Sequence, residues 1–161
     1  MANIKVDTRF GELSIDPSQV ITFPRGIPGF EKSTMWKLFH EIDESGNWVG
    51  GVVIHLQSID DGDVSLALTD PTLFGFNYDL VLSDSEAAEL KLEDPLDIMV
   101  LTALSARSNA VPQQHGRKLI MENMYANISA PILINTKSRI GMQKILTGKE
   151  STVDFRQSLV A

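Results

Sequence analysis

The sequence predicts an all-β fold, a small antiparallel β-barrel that is closed or partly open, with one or two short helices. Short β-rich runs recur along the chain and are separated by turn residues every roughly 8–12 residues, as in small barrels and sandwiches. Only one segment carries a helix-start pattern. A β-sandwich built from the same strands is the alternative architecture. The chain has 161 residues and no linker-like tract, so we expect a single domain over residues 1–161.

The composition excludes several classes of protein. The chain has no Cys, which excludes a disulfide scaffold, a thiolate zinc site and a cysteine nucleophile. It has 14 basic and 21 acidic residues, a formal net charge of −7 that favours basic protein partners and disfavours direct nucleic-acid binding. Its apolar runs are much shorter than the ~18 residues of a membrane span, and the start lacks a signal-peptide pattern. We therefore expect a cytoplasmic protein with no membrane partner.

The first part of the chain predicts three strands and a shaped loop. Alternating apolar and polar residues indicate two strands joined by a turn at Phe10 and Gly11, and a third strand covers residues 20–23. Residues 24–31 then contain two prolines and two glycines within a few positions, which excludes regular structure. The apolar side chains of Ile27 and Phe30 indicate that this loop packs back on the body of the protein.

The centre of the chain predicts a strand over residues 35–42 and then a β-hairpin over residues 50–70. The hairpin arms cover residues 52–57 and 64–69, and Asp61 with Gly62 supplies the turn. Both faces of the hairpin are apolar or only mildly polar, so we expect it in the middle of a sheet that is covered on both sides. Its tip should present the carboxylates of three residues to solvent, Asp60, Asp61 and Asp63.

The second half predicts one helix and several further strand segments. Ser83 and Glu86 match a capping box, so a short helix should begin at Ser83 and end before Pro95. The apolar run at residues 98–104 indicates a buried strand, although a helix is an alternative there. Other strands are predicted at residues 78–82, 118–128 and 132–135, with an interruption at Ala130 and Pro131 between the last two. Residues 141–146 form one more short apolar element.

Catalytic and metal-binding patterns are not found, so we expect no enzymatic activity, no metal and no cofactor. The histidines, His40, His55 and His115, lie in different predicted elements without metal-ligand spacing. The acidic turn lacks the spacing of an EF-hand loop. Pro28 removes an N–H group from the Gly26–Gly29 turn, which is therefore not a phosphate cradle. His55 could line the interior of a barrel, where a single histidine is usually structural.

Several motifs, occurring in a consistent order across most of the chain, resemble the FliW family of flagellar assembly factors. They are Phe10-Gly11-Glu12, Phe23-Pro24 with Gly26-Ile27-Pro28-Gly29-Phe30-Glu31, Leu56-Gln57-Ser58 before the acidic turn, Asp70-Pro71, the block from Asn127 to Asn135, and Gly141-Met142-Gln143-Lys144-Ile145-Leu146. The Gly-Ile-Pro-Gly-Phe-Glu motif and the Asn-to-Asn block are jointly specific. Two departures, Ile54-His55 for Pro-Phe and Asn127-Ile128 for Asn-Leu, retain residues that strands accept.

The resemblance implies a small, cytoplasmic, non-enzymatic β-barrel that binds newly made flagellin before export. In many members of the family the same protein binds the translational regulator CsrA and relieves its repression of flagellin synthesis. Flagellin and CsrA compete for it, which makes the protein a partner switch. The acidic composition fits this role, because an acidic surface is steered toward a basic RNA-binding partner.

Two sets of residues are candidates for contact with these partners. Those at the hairpin tip are Gln57, Ser58, Asp60 and Asp61. Those in the loop are Ile27 and Phe30, which could grip an apolar helix of flagellin. The alternatives are that the tip is a plain solvated turn and that the loop residues are tucked into the barrel.

A small-ligand-binding or hydrolytic barrel with a site in its mouth is the alternative function. It predicts a deep pocket that contains convergent polar groups such as His55.

Overall fold

The computed structural model of the chain describes residues 2–41, 43–47, 51–74, 80–106, 124–146 and 152–154. Ten strands and one α-helix, α1 (Asp84–Glu89), occur in these ranges. The strands are β1 (Ile4–Thr8), β2 (Gly11–Ile15), β3 (Ile21–Thr22), β4 (Met35–Phe39), β5 (Ile54–Ser58), β6 (Ser65–Thr69), β7 (Ile98–Ala106), β8 (Met124–Asn135), β9 (Ile140–Gln143) and β10 (Thr152–Asp154). Short 3-10 helices cover Pro17–Gln19, Pro71–Phe74 and Pro95–Asp97.

The main sheet closes on itself. Its strand order is β10-β8-β7-β6-β5-β4-β3-β9, and β9 also pairs with β8, so the seven strands from β3 to β9 form a ring to which β10 is added. All pairings in it are antiparallel except the single β3–β9 bridge, which is parallel. The strands β1 and β2 form a separate antiparallel pair. The predicted all-β, antiparallel fold class is therefore confirmed.

The interior of the ring is filled with apolar side chains. The buried members of this core are Ile21, Phe23, Ile27, Trp36, Leu56, Leu68, Leu101, Ile132 and Ile134. The rings of Phe23 and Trp36 pack edge to face with centroids 6.2 Å apart, and the indole Nε1–H of Trp36 donates to the carbonyl of Ser33 at 2.9 Å. Gly141 makes room for this packing, because a Cβ there would lie 2.5 Å from the Phe23 ring.

The predicted central hairpin is confirmed, with β5 and β6 as its arms. Leu56 pairs with Leu66 and Ile54 with Leu68, so these four side chains point into the ring. The alternate residues, including His55 and Gln57, therefore lie on the outer side.

The outer side of the hairpin is covered by the β1–β2 pair. The ring of Phe10, at the turn between β1 and β2, lies 5.3 Å from the Phe39 ring and 4.6 Å from the His55 ring. His55, beneath the Phe10 ring, is 7% exposed, and Gln57 on the same side of the hairpin is 0% exposed. The prediction that the hairpin is covered on most of both sides is correct. His55, which could have lined the interior, packs against Phe10 and Phe39 on the outer side instead.

The strand β8 does not break where the sequence predicts. An interruption is expected at Ala130 and Pro131, but β8 runs continuously through both residues. The β7–β8 register shifts between Leu101 and Ala103, opposite Pro131, so the missing N–H of the proline falls at an irregularity of the ladder. The Pro131 carbonyl still accepts from the N–H of Lys144 at 3.0 Å, which keeps the other edge paired with β9.

Other boundaries differ in smaller ways. The strand predicted at residues 20–23 is limited to Ile21–Thr22, and residues 80–82 do not form the expected strand. Residues 78, 79, 115 and 118–123 lie outside the described residues. The run at residues 98–104 is a strand, so the helical alternative is wrong there.

The predicted helix is confirmed as α1 and is fastened to the β8–β9 hairpin. The hydroxyl of Ser83 accepts from the N–H of Glu86 and the Glu86 carboxylate accepts from the N–H of Ser83, which completes the capping box. Both oxygens of Glu86 also lie 2.8 Å from the Nζ of Lys144. At the end of the helix the carbonyl of Leu90 accepts from the side chains of Asn135 and Ser138.

The Glu86–Lys144 pair predicts a pH-dependent stability. The hydrogen bond from Lys144, and after it the one from the Ser83 N–H, lowers the pKa of the Glu86 carboxyl. The ionised carboxylate therefore stabilises the fold fully above the usual Glu pKa, and this stabilisation is lost as the pH falls through the folded-state pKa. Glu86→Gln keeps a capping-box acceptor but removes the charge. We expect it to lower the free energy of unfolding by about 1 kcal/mol at pH 7, measured by urea denaturation.

In a second measurement at acid pH the loss caused by Glu86→Gln should be smaller than at pH 7, and it should approach zero only when the pH lies below the lowered folded-state pKa of Glu86. Asp84→Asn is the matched control, because it removes a carboxylate from the same helical turn but not the contact with Lys144. An equal loss at both pH values would show that the Glu86 charge does not hold α1 on β9.

Candidate interaction surface

The tip of the β5–β6 hairpin contacts the residues that directly follow the glycine-rich loop (residues 24–31). The carboxylate of Asp60 accepts from the backbone N–H groups of Thr34 at 2.8 Å and Met35 at 3.0 Å. The N–H of Ile59 donates to the carbonyl of Met35 at 2.8 Å. The hairpin tip therefore adjoins the residues that directly follow the second candidate region, the glycine-rich loop.

The glycine-rich loop is fixed by its own backbone. Gly26 has φ +67°, and a Cβ on it would lie 2.6 Å from the Cα of Glu31, so only glycine fits there. The N–H of Phe30 donates to the carbonyl of Ile27 at 2.6 Å, which closes a tight turn. The Glu31 carboxylate accepts from the N–H of Gly29 at 2.9 Å, and this bond lowers the pKa of Glu31.

The turn separates the two apolar candidates of the loop. Ile27 is 3% exposed and belongs to the core of the ring, so it anchors the loop from below. Phe30 is 37% exposed and is available to a partner. The alternative, a residue tucked into the barrel, describes Ile27 and not Phe30.

The polar candidates Gln57 and Ser58 build the hairpin tip from inside. Both are 0% exposed. The amide Nε2 of Gln57 lies within 3.1 Å of the carbonyl oxygens of Ser58, Gly62 and Val64. A direct contact of these two side chains with a partner does not fit this burial, and their role is to shape the tip. The sequence favours exposure because a polar pair before an acidic turn is usually accessible.

The hydroxyl of Ser58 connects the tip to the chain that follows the glycine-rich loop. It donates to the hydroxyl of Ser33 at 2.9 Å and accepts from the N–H of Asp61 at 3.0 Å. On the opposite side the tip rests on β1, because a Cβ on Gly62 would overlap the carbonyl oxygen of Asp7. The tip is therefore held on two sides and is more than a freely solvated turn.

The exposed side chains around this junction form what we call the interaction face. Its members are Phe30, Met35, Asp60, Asp61 and Asp63. Met35 is 38% exposed, and sequence reasoning misses it because it predicts only the start of a strand there. The alternation along β4 contains the signal, because Trp36 points into the core and its neighbour must point out. The face combines two apolar side chains with three carboxylates.

Apart from the interaction face, a shallow cleft of about 540 Å³ lies at the edge of the β1–β2 pair. It is lined by Arg9, Phe10, Leu13, Phe39, His40 and Glu41. His55 packs beneath Phe10, and its Nε2 lies 2.8 Å from a carboxylate oxygen of Glu41. Burial lowers the pKa of His55 despite this bond, so the imidazole is neutral at pH 7. His55 therefore has a structural role between the β1–β2 pair and the ring.

Within the described ranges, no three metal-ligating side chains are grouped so that they could hold a metal ion. In the same part of the chain, no helix has the length and apolar character needed to cross a membrane.

Comparison with known proteins identifies relatives over nearly the whole chain. Residues 5–159 match the family model described as "FliW protein". The flagellar assembly factor FliW of Azoarcus sp. (strain BH72) is 36% identical over 138 residues, which are 85% of this chain and 86% of that protein. The protein of the same name from Thermosipho africanus (strain TCF52B) is 30% identical over 155 residues, 96% of each chain.

A solved structure shows the same fold. The crystal structure of a flagellar assembly factor FliW aligns with a TM-score of 0.74 and covers 94% of this chain and 96% of that one. The sequence identity is 23%, so this likeness supports the fold alone.

The role of Asp60 as a brace can be tested by truncation. Asp60→Ala leaves the N–H groups of Thr34 and Met35 without their side-chain acceptor, as when a helix cap is removed, and should cost about 1 kcal/mol of unfolding free energy. Amide exchange at residues 34 and 35 should become faster. Asp63→Ala, which removes a neighbouring exposed carboxylate, should change stability by less than about 0.5 kcal/mol. Equal effects of the two variants in urea denaturation would contradict the brace.

Proposed function

The chain belongs to the FliW family of flagellar assembly factors, and on that premise we propose that it acts by binding protein partners on the interaction face. The proposed partners are newly made flagellin and the translational regulator CsrA. Binding of flagellin would hold it before export, and binding of CsrA would relieve repression of flagellin synthesis. Both steps belong to the cytoplasm, where we place the protein.

The composition of the interaction face supports this proposal. Phe30 and Met35 are among the large apolar side chains that the structure leaves exposed. Asp60 binds the backbone of Thr34 and Met35 and so joins this part of the chain to the tip that carries the three carboxylates. Solvent-exposed apolar side chains with a charged rim are typical of protein-binding sites. This observation carries the proposal.

The two kinds of group suit the two partners. The apolar pair matches an amphipathic helix, which docks through residues on one face, and this is the chemistry we propose for flagellin. The carboxylates attract a basic surface through long-range steering, which is the chemistry we propose for CsrA. Because the apolar pair and the carboxylates lie on the same face, flagellin and CsrA would occupy overlapping sites. The two partners would therefore compete for the protein.

The alternative of a ligand-binding or hydrolytic site in the mouth of the ring has less support. It requires a deep polar pocket that contains His55, but the interior is filled by the apolar core and His55 lies on the outer side. Burial also removes His55 from contact with a substrate, because it is 7% exposed. A binding role is therefore favoured over catalysis.

Charge removal at the interaction face should weaken CsrA binding. The double variant Asp61→Asn with Asp63→Asn removes two carboxylates, and the new amide oxygen at position 61 can still accept the N–H that Asp61 binds at 3.0 Å. Since an exposed ion pair contributes ~0.2–1 kcal/mol, we expect an affinity loss of about threefold to tenfold and a smaller salt dependence. Isothermal titration calorimetry at two salt concentrations measures both.

The control is Glu44→Gln with Glu93→Gln, two exposed carboxylates outside the interaction face. It changes the net charge by the same amount, so it separates location from total charge. Equal affinities for the two double variants would remove the face as the CsrA site, and no binding of CsrA by the unmodified protein would remove CsrA as a partner.

Removal of the apolar anchor should weaken flagellin binding. Phe30→Ser deletes a partly exposed ring that is not a member of the buried core cluster. Truncation of a central aromatic anchor typically costs about tenfold or more in affinity. Leu96→Ser is the matched control, because Leu96 is 90% exposed and lies outside the interaction face. A pull-down with purified flagellin followed by titration should show the loss for Phe30→Ser only. Unchanged flagellin affinity for Phe30→Ser would exclude this side chain from the contact.

A further inference from the structure

The strand β9 has one fully paired edge and one nearly unpaired edge. Its four residues pair with β8 over the whole length of the strand, from Ile140 opposite Asn135 to Gln143 opposite Ile132. On the other edge only Ile140 has a partner, the Thr22 of β3. The closure of the ring at this seam therefore rests on a single bridge.

The direction of the backbone groups along β9 follows from two hydrogen bonds. The N–H of Lys144 donates to Pro131 on β8, so the backbone groups of Met142, two residues earlier, also face β8. The carbonyl of Arg139 accepts from the N–H of Thr22 on the opposite side. By the same alternation, the backbone groups of Gly141 and Gln143 face away from β8, toward the side of β3.

Proline ends the β3–β9 ladder. The next bond of a parallel ladder would run from the nitrogen of residue 24 to the carbonyl of Gly141, but Pro24 has no N–H to donate. Within the described part of the chain, no hydrogen bond is formed by the Gly141 carbonyl or by the backbone N–H and carbonyl of Gln143. These are the groups through which an edge strand accepts another strand.

A cleft of about 200 Å³ lies along this free edge. Its walls are Pro24, Arg25, Gly26, Pro28 and Glu31 on one side, Glu89 of α1, and Gly141, Met142 and Gln143 of β9. Two carboxylates and one guanidinium line it, and Arg25 Nε lies 2.6 Å from Glu89 Oε1. The side chain of Arg25 is 85% exposed, so this ion pair is open to exchange.

We propose that this cleft, the β9 slot, binds an extended segment of a partner protein by strand addition, with a basic side chain of the segment directed at Glu31 and Glu89. The segment would continue the ladder where Pro24 ends it and would bond to Gly141 and Gln143. Its basic side chain would take the place that Arg25 now occupies beside Glu89. This site is separate from the interaction face and does not depend on the proposed partners.

The test uses a capped peptide, acetyl-Thr-Val-Lys-Val-Thr-amide, and the full-length protein labelled with nitrogen-15. We expect binding in the millimolar range, of about 1 mM, with chemical-shift changes at residues 24–26 and 141–143. Amide exchange should slow several-fold at Gln143, which faces the slot, and should not change at Met142, which faces β8. The peptide with Glu in place of Lys should bind more weakly.

Two results would overturn the proposal. One is equal binding by a peptide N-methylated at its three central residues, because that peptide lacks the donors needed for strand addition. The other is the absence of any change at Gln143 at about 5 mM peptide. Glu89→Gln tests the charge preference separately: it should reduce the difference between the Lys and Glu peptides, and an undiminished difference would exclude Glu89 as the recognising group.

Discussion

The interaction face depends on how the chain satisfies the backbone carbonyl groups that the β5–β6 turn buries. An unpaired buried carbonyl costs free energy comparable to a lost hydrogen bond. The Nε2 of the buried Gln57 carries two N–H groups and lies within 3.1 Å of three carbonyl oxygens, those of Ser58, Gly62 and Val64. The Val64 carbonyl also accepts from the N–H of Ser58. Gln57 therefore helps to fix the shape of the tip that carries Asp60, and the Asp60 carboxylate in turn binds the backbone N–H groups of Thr34 and Met35.

The local elements could be predicted from the sequence because their causes are local. The capping box at Ser83, the β5–β6 hairpin and the glycine-rich loop each depend on residues a few positions apart, and each is present as expected. The roles of Gln57 and Ser58 could not be predicted, because Ser58 binds the Ser33 hydroxyl 25 residues earlier in the chain and Gln57 is buried although it lies on the outer side of the hairpin. The same holds for Asp60, whose backbone partners lie 25 and 26 residues earlier. A pattern read along one segment does not contain such contacts.

Pro24 and Pro131 show that one residue type can have opposite effects on a sheet. Pro131 lies at a register shift, where the ladder requires no donor, and β8 continues through it. Pro24 falls where the ladder requires the next donor, and the β3–β9 pairing stops. The sequence alone predicts a break at both, since the difference is set by the register of the neighbouring strand.

The interaction face and the β9 slot share the glycine-rich loop, which raises the question of whether one partner could affect the other. Phe30 belongs to the face, while Pro24, Arg25 and Glu31 border the slot. Transmission between them would require the loop to change shape. The loop is fixed at its centre, because Ile27 is embedded in the core and Gly26 is pressed against the backbone of Glu31. Because these contacts hold the loop in one shape, we expect the two surfaces to bind their partners independently of each other.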